Sequence, residues 1–173
     1  MSIAVVVGNP KPESRTLQFA TTVADAISQA TGVPRGLTLD LATRARDLFE
    51  WPNDQLDALV EEVRASTILV VASPTYKAAY TGLLKGFFDR FATDGLANVV
   101  AVPLMTGGAP VHALAVDVTL RPLLVELGAS VPTTSIYLVI SDLDQLPNIV
   151  STWLERNAPA LDALAAAFGA PNS

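Results

Sequence analysis

Three short stretches of this sequence hold residues whose types and spacing could grip a phosphorylated, planar ligand. The first is Gly8-Asn9-Pro10-Lys11-Pro12-Glu13-Ser14-Arg15-Thr16, which leads into a helical pattern. A helix N-terminus presents unpaired N–H groups and about half a positive charge, so it attracts an anion. Lys11 and Arg15 add cations there, and Ser14 and Thr16 add hydroxyls. That set suits a doubly charged phosphate monoester; the simpler alternative is a helix cap by Ser14 with solvated charges. Neither GxxxxGK[ST] nor GxGxxG occurs in the stretch, which disfavours a P-loop and a Rossmann-type dinucleotide site.

The second stretch is Ser73-Pro74-Thr75-Tyr76-Lys77-Ala78-Ala79-Tyr80-Thr81-Gly82. Small residues interleaved with tyrosines let a flat ring lie against backbone, where free N–H groups can bond a heteroaromatic edge. The alternative is a connection whose tyrosines pack on the core. The third is Thr106-Gly107-Gly108-Ala109-Pro110, with His112 just beyond. Paired glycines permit close approach of a ligand or unusual backbone angles, or they form a simple turn. His112 reads as a satisfied polar side chain in a helix's first turn, and no residue is assigned as a catalytic acid or base.

The elements that must position these stretches alternate strictly. Apolar, β-branched runs at 3–7, 36–41, 67–72, 99–105 and 135–140 read as strands. Helical patterns fall at 15–31, 53–65, 82–92, 110–127 and 147–168, with a tail over 170–173. Strands apolar on both faces belong to a parallel sheet covered on both sides, and such alternation gives a doubly wound α/β fold. With no repeat, low-complexity tract or long linker, residues 1–173 are expected to form a single domain. Ligands in such sheets sit at the carboxyl ends of strands, which is where all three stretches fall.

The chain has 173 residues, of which 50% are hydrophobic and 16% charged, a globular composition. Seventeen acids against 11 bases give a net charge of −6, which argues against a nucleic-acid binder. The absence of cysteine and the single histidine rule out disulfides and a thiolate nucleophile and leave too few ligands for an ordinary zinc site. No metal is expected. The N-terminus lacks the basic region of a signal peptide and no apolar run is long enough to span a bilayer, so a soluble, cytoplasmic protein with no membrane partner is expected.

A phosphate loop with two ring-binding loops suggests FMN in the flavodoxin-like strand order 2-1-3-4-5. A receiver domain shares that order but needs acidic residues where this chain has Gly8, Asn9 and Ser73. The sequence resembles the NADPH-dependent FMN reductase family, in particular the branch serving two-component alkanesulfonate monooxygenases. The stretch from Gly8 to Thr16 is similar to the family's GSPR…SRS loop, and Ser73 through Lys85 is close to the branch's PxYKAAYSGxLK signature. Pro103 to Gly108, His112 to Asp117 and Leu120-Arg121-Pro122 match a third block.

The resemblance implies hydride transfer from NAD(P)H to flavin N5, with reduced flavin passed to a partner monooxygenase. It implies that Lys11, Ser14, Arg15 and Thr16 take the phosphate. Pro74, Thr75, Tyr76, Lys77 and Ala78 would meet the isoalloxazine, with Thr106, Gly107 and Gly108 along its other edge. The alternatives are an FMN-bound quinone- or azo-type reductase and a non-catalytic electron carrier. Asn9 and Lys11 replace the family's usual serine and arginine. Val118 stands where the branch tends to carry tyrosine or histidine, from which firmer retention of FMN is expected.

Two further expectations concern residues 110–127. Val111, Leu114, Val116, Val118, Leu120, Leu123, Leu124 and Leu127 wrap most of a helix's circumference, whereas a surface helix shows one stripe. A homodimer or homotetramer is therefore expected, with helix 82–92 also rich in apolar residues. Pro122 lacks the N–H that would bond the carbonyl of Val118, so a kink or π-type turn is expected near Val118 to Pro122, braced by Asp117 and Arg121.

Overall fold

A computed structural model describes residues 1–168 of the chain; the expected tail at 170–173 lies outside the described residues. The strands β1 (Ile3–Val7), β2 (Arg35–Asp40), β3 (Ile68–Pro74), β4 (Val100–Gly107) and β5 (Ile136–Val139) form a parallel sheet in the order β2-β1-β3-β4-β5. This is the flavodoxin-like order. Residues of β1 and β3 are buried throughout, whereas β2, at one edge, is mostly half-buried or exposed. That difference explains why its sequence pattern is the weaker one.

One face of the sheet is covered by α1 (Arg15–Thr31), α5 (Leu146–Arg156) and α6 (Ala158–Phe168), around Phe19, Ile27, Val70, Leu138 and Trp153. The other is covered by α2 (Asp54–Arg64), α3 (Gly82–Phe88) and α4 (Arg121–Glu126), around Leu69, Phe87, Phe88, Leu120 and Leu124. The sheet thus separates two apolar layers, and its carboxyl edge is left for the loops.

Three expected helices differ in the structure. The closing helix breaks at Asn157 into α5 and α6. The Asn157 amide turns back to the Trp153 carbonyl and to Thr134, fixing the break to the start of β5. Helix 82–92 ends at Phe88, and its phenylalanines are absorbed by this chain's own core. Residues 110–127 are not one helix but a 3₁₀ turn (Pro110–His112), a π turn (Val116–Leu120) and α4.

The π turn, Val116–Leu120, overlaps the stretch from Val118 to Pro122 where a kink or π-type turn is expected. The Arg121 N–H bonds the Val116 carbonyl five residues back, and the Thr119 hydroxyl donates to the Ala115 carbonyl at 2.6 Å. Arg121 braces the turn more widely than a pair with Asp117 (3.0 Å): it also donates to the carbonyls of Val131 and Thr133 and to Ser135. Partial burial acts to raise the Asp117 pKa, but hydrogen bonds from Ser135 and Arg121 outweigh it and hold the carboxyl below its ordinary range.

Candidate functional site

The loops after β1, β3 and β4 meet at the carboxyl edge around a cavity of about 540 Å³, within the range of small-molecule sites. Each wall has a local cause. Ser14 caps α1, its hydroxyl accepting from Leu17 N at 3.2 Å, which leaves its own proton free for a ligand. Asn9 folds the loop by accepting from Lys11 N with its carbonyl oxygen and donating to Thr16, an Asx-type turn. Asp40, at the end of β2, accepts from Glu13 N at 3.1 Å and ties the loop to the sheet.

Thr81 anchors the second loop. Its hydroxyl caps α3 by accepting from Leu84 N and donates to the Gly8 carbonyl at 2.5 Å. Gly8 is required here, because a Cβ would stand 2.5 Å from Leu84 Cβ. Tyr76 and Ala79 exchange backbone hydrogen bonds around Lys77 and Ala78, both at positive φ (53° and 63°). This is a hairpin-type turn usually taken by Asn-Gly.

The cavity brings together Lys11, Ser14, Arg15, Thr16, Pro74, Thr75, Tyr76, Thr106, Gly107 and Gly108. Lys77 and Ala78 do not line it; they form the exposed tip of the turn. Thr16 and Thr106, both buried, spend their hydroxyls on each other at 2.9 Å, joining the first loop to the third. Asn9, Glu13 and Ile140 line the cavity without having been singled out as site residues. An Asn two residues before a backbone N–H is a turn signal that could have shown the first; nothing local marks Ile140. His112 and Val118 are exposed and outside the lining.

The donor set fits a phosphate ester joined to a planar, polar-edged ring. Among the described residues, neither Lys11 nor Arg15 forms an ion pair, so both charges are free at the N-terminus of α1. At the other end the Thr75 hydroxyl is buried without a hydrogen-bond partner, and such a group costs about 1–3 kcal/mol unless a ligand supplies one. Gly108 faces open space: a Cβ there would meet nothing within 4 Å.

The model of the family described as NADPH-dependent FMN reductase matches residues 1–143. The chain belongs to that family. It is 34% identical over 112 residues to the NADH-dependent FMN reductase SfnF of Pseudomonas putida, covering 65% of this chain and 60% of that one. It is 32% identical over 115 residues to an FMN reductase (NADPH) of Pseudomonas aeruginosa, covering 66% and 62%. The matches thus span about six-tenths of these curated relatives' lengths. Among solved structures, the apo form of the NADH:FMN oxidoreductase EmoB superposes with a TM-score of 0.81 at 29% identity, covering 99% of this chain and 91% of that one. An oxidoreductase from Corynebacterium diphtheriae gives 0.81 at 30% identity, with 96% of each chain covered. Every residue that lines the cavity, from Asn9 to Ile140, lies within the matched residues.

Proposed function

We propose that this chain is an NAD(P)H-dependent FMN reductase. The observation that carries the reading is one cavity with free cations and a helix N-terminus at one end and the unpaired Thr75 hydroxyl and the glycines after β4 at the other. FMN bound there would supply the redox chemistry, accepting a hydride from the nicotinamide at N5. The protein's own part is to bind and orient. Lys11, Arg15 and the Ser14 hydroxyl hold the phosphate, while Thr16 and Thr106 fix the phosphate loop against β4. Pro74, Thr75 and Tyr76 form one wall for the ring, and Thr106 to Gly108 form the opposite edge. Lys77 and Ala78 serve by shaping the turn that presents Tyr76.

The names of the relatives support the activity, while passage of reduced flavin to a monooxygenase rests on the resemblance of the three loops to the sulfonate branch. The test is oxidation of NADH and NADPH followed by nicotinamide absorbance with and without FMN. Dependence on FMN with either nucleotide is expected, and no oxidation with both would overturn the reading. A flavin bound firmly from purification would support the expected retention, although Val118, exposed and outside the lining, does not reach the cavity of its own chain. A colourless preparation would remove that expectation without touching the activity.

A homo-oligomer is part of the same reading. Val111, Leu114, Val118 and Val125 stand 55–79% exposed within the segment 111–125, apolar surface that a second copy would cover. A monomeric mass by light scattering at micromolar concentration would exclude it.

A further inference from the structure

The glycines after β4 have separate jobs. Neither Gly107 nor Gly108 has a positive φ; among the described glycines only Gly32 and Gly128 do. Neither is therefore demanded by the backbone. Gly108 faces open space beside the cavity, but Gly107 faces Tyr137. A Cβ on Gly107 would stand 2.7 Å from Tyr137 Cζ and would overlap its hydroxyl outright. Gly107 is thus shaped to a residue of β5 rather than to a ligand.

Tyr137 pairs in register with Met105, two residues before Gly107. At about 3.3 Å per residue along a parallel strand, its ring reaches forward beneath Gly107. The hydroxyl then donates to the Ala109 carbonyl at 3.0 Å. On the opposite side Thr75 N donates to the Thr106 carbonyl at 2.7 Å. The turn that forms one end of the cavity is therefore held from β3 at its root and from β5 beyond its tip. Tyr137 itself does not line the cavity.

We propose that Tyr137 is a positioning residue for the ring end of the flavin site, acting through the Gly107–Ala109 backbone without touching the ligand. This rests on the flavin reading above, and the test separates the two. Tyr137→Phe keeps the ring and removes only the donor. In the ligand-free protein, NMR order parameters of the Gly108, Ala109 and Val111 amides should fall, with those in β1 and β3 unchanged. Binding of FMN and of riboflavin, read by fluorescence, should weaken together by about five- to tenfold, the loss of one hydrogen bond. The FMN-to-riboflavin affinity ratio should stay as in the wild type, because the phosphate end is untouched.

Unchanged order parameters at these three amides, or unchanged affinity for both flavins, would overturn the proposal. So would a general fall in order across the sheet, which would mark Tyr137 as a core residue alone. Failure of the wild-type protein to bind either flavin would overturn the flavin reading and this role with it.

Discussion

At its proposed phosphate end the cavity takes every lining residue from one short stretch, Asn9 to Thr16. At its proposed ring end the lining comes from Pro74 to Tyr76, Thr106 to Gly108 and Ile140, at the ends of three different strands. The first end carries the free cations and adds to its local bonds, Ser14 to Leu17 and Asn9 to Lys11, two ties to other strands, Glu13 to Asp40 and Thr16 to Thr106. The second depends on hydrogen bonds across the sheet, Thr75 to Thr106 and Tyr137 to Ala109. The phosphate end should therefore respond to loss of charge and tolerate changes of shape, and the ring end the reverse.

The largest effect is expected from Gly107→Ala. The methyl group would displace the Tyr137 ring and hydroxyl, at a cost of about 1–3 kcal/mol in stability for overpacking. Because the hydrogen bond to Ala109 would break as well, FMN and riboflavin should both bind at least tenfold more weakly in a titration of the folded protein. Retention of wild-type affinity for riboflavin would show that the two ends are not built differently.

Next come Lys11→Ala and Arg15→Ala. Each removes a free cation that faces no acidic partner among the described residues. Charge-assisted bonds of this kind contribute about 1.5–3 kcal/mol, so FMN should bind roughly 10- to 100-fold more weakly. Riboflavin should change by less than about twofold, and neither variant should lose stability, since both side chains are exposed. Equal losses for the two flavins would place these residues away from the phosphate.

The same contrast decides what could be read from the sequence. The strands, the three loops and ten of the cavity's residues were legible because periodicity and loop composition are local signals, whereas the strand order followed only from the flavodoxin-like fold that an FMN site suggested. Pro122 forecast a break in the pattern of 110–127 because its missing N–H must be accommodated, and the structure places a π turn at Val116–Leu120 with Pro122 in the first turn of α4. The break at Asn157 was not legible, since it depends on Thr134 some twenty residues away. Tyr137 was hidden for the same reason: its partner Ala109 is 28 positions distant. The Gly107-Gly108 pair was legible as a close approach, but only the folded sheet shows that one of the two approaches a tyrosine. Lys77 and Ala78 gave the opposite lesson, because a non-glycine turn at two positive φ values has no sequence signature.

The smallest expected effect tests the phosphate end from its one unfavourable charge. Glu13 lines the cavity with Lys11 and Arg15, so its carboxylate opposes a bound phosphate. What the fold uses at this position is the backbone: φ is 51°, and the N–H donates to Asp40. Glu13→Gln keeps that bond and removes the charge. An exposed charge several ångströms from an anion interacts by a few tenths of a kcal/mol, so FMN should bind about two- to threefold more tightly. Riboflavin, lacking the phosphate, should be unaffected. The gain should shrink at high salt, because the screening length falls to about 3 Å at 1 M. If FMN instead binds more weakly, the carboxylate is accepting hydrogen bonds from the ligand. The phosphate end would then read shape as well as charge, and the division between the two ends would move inward from Ser14.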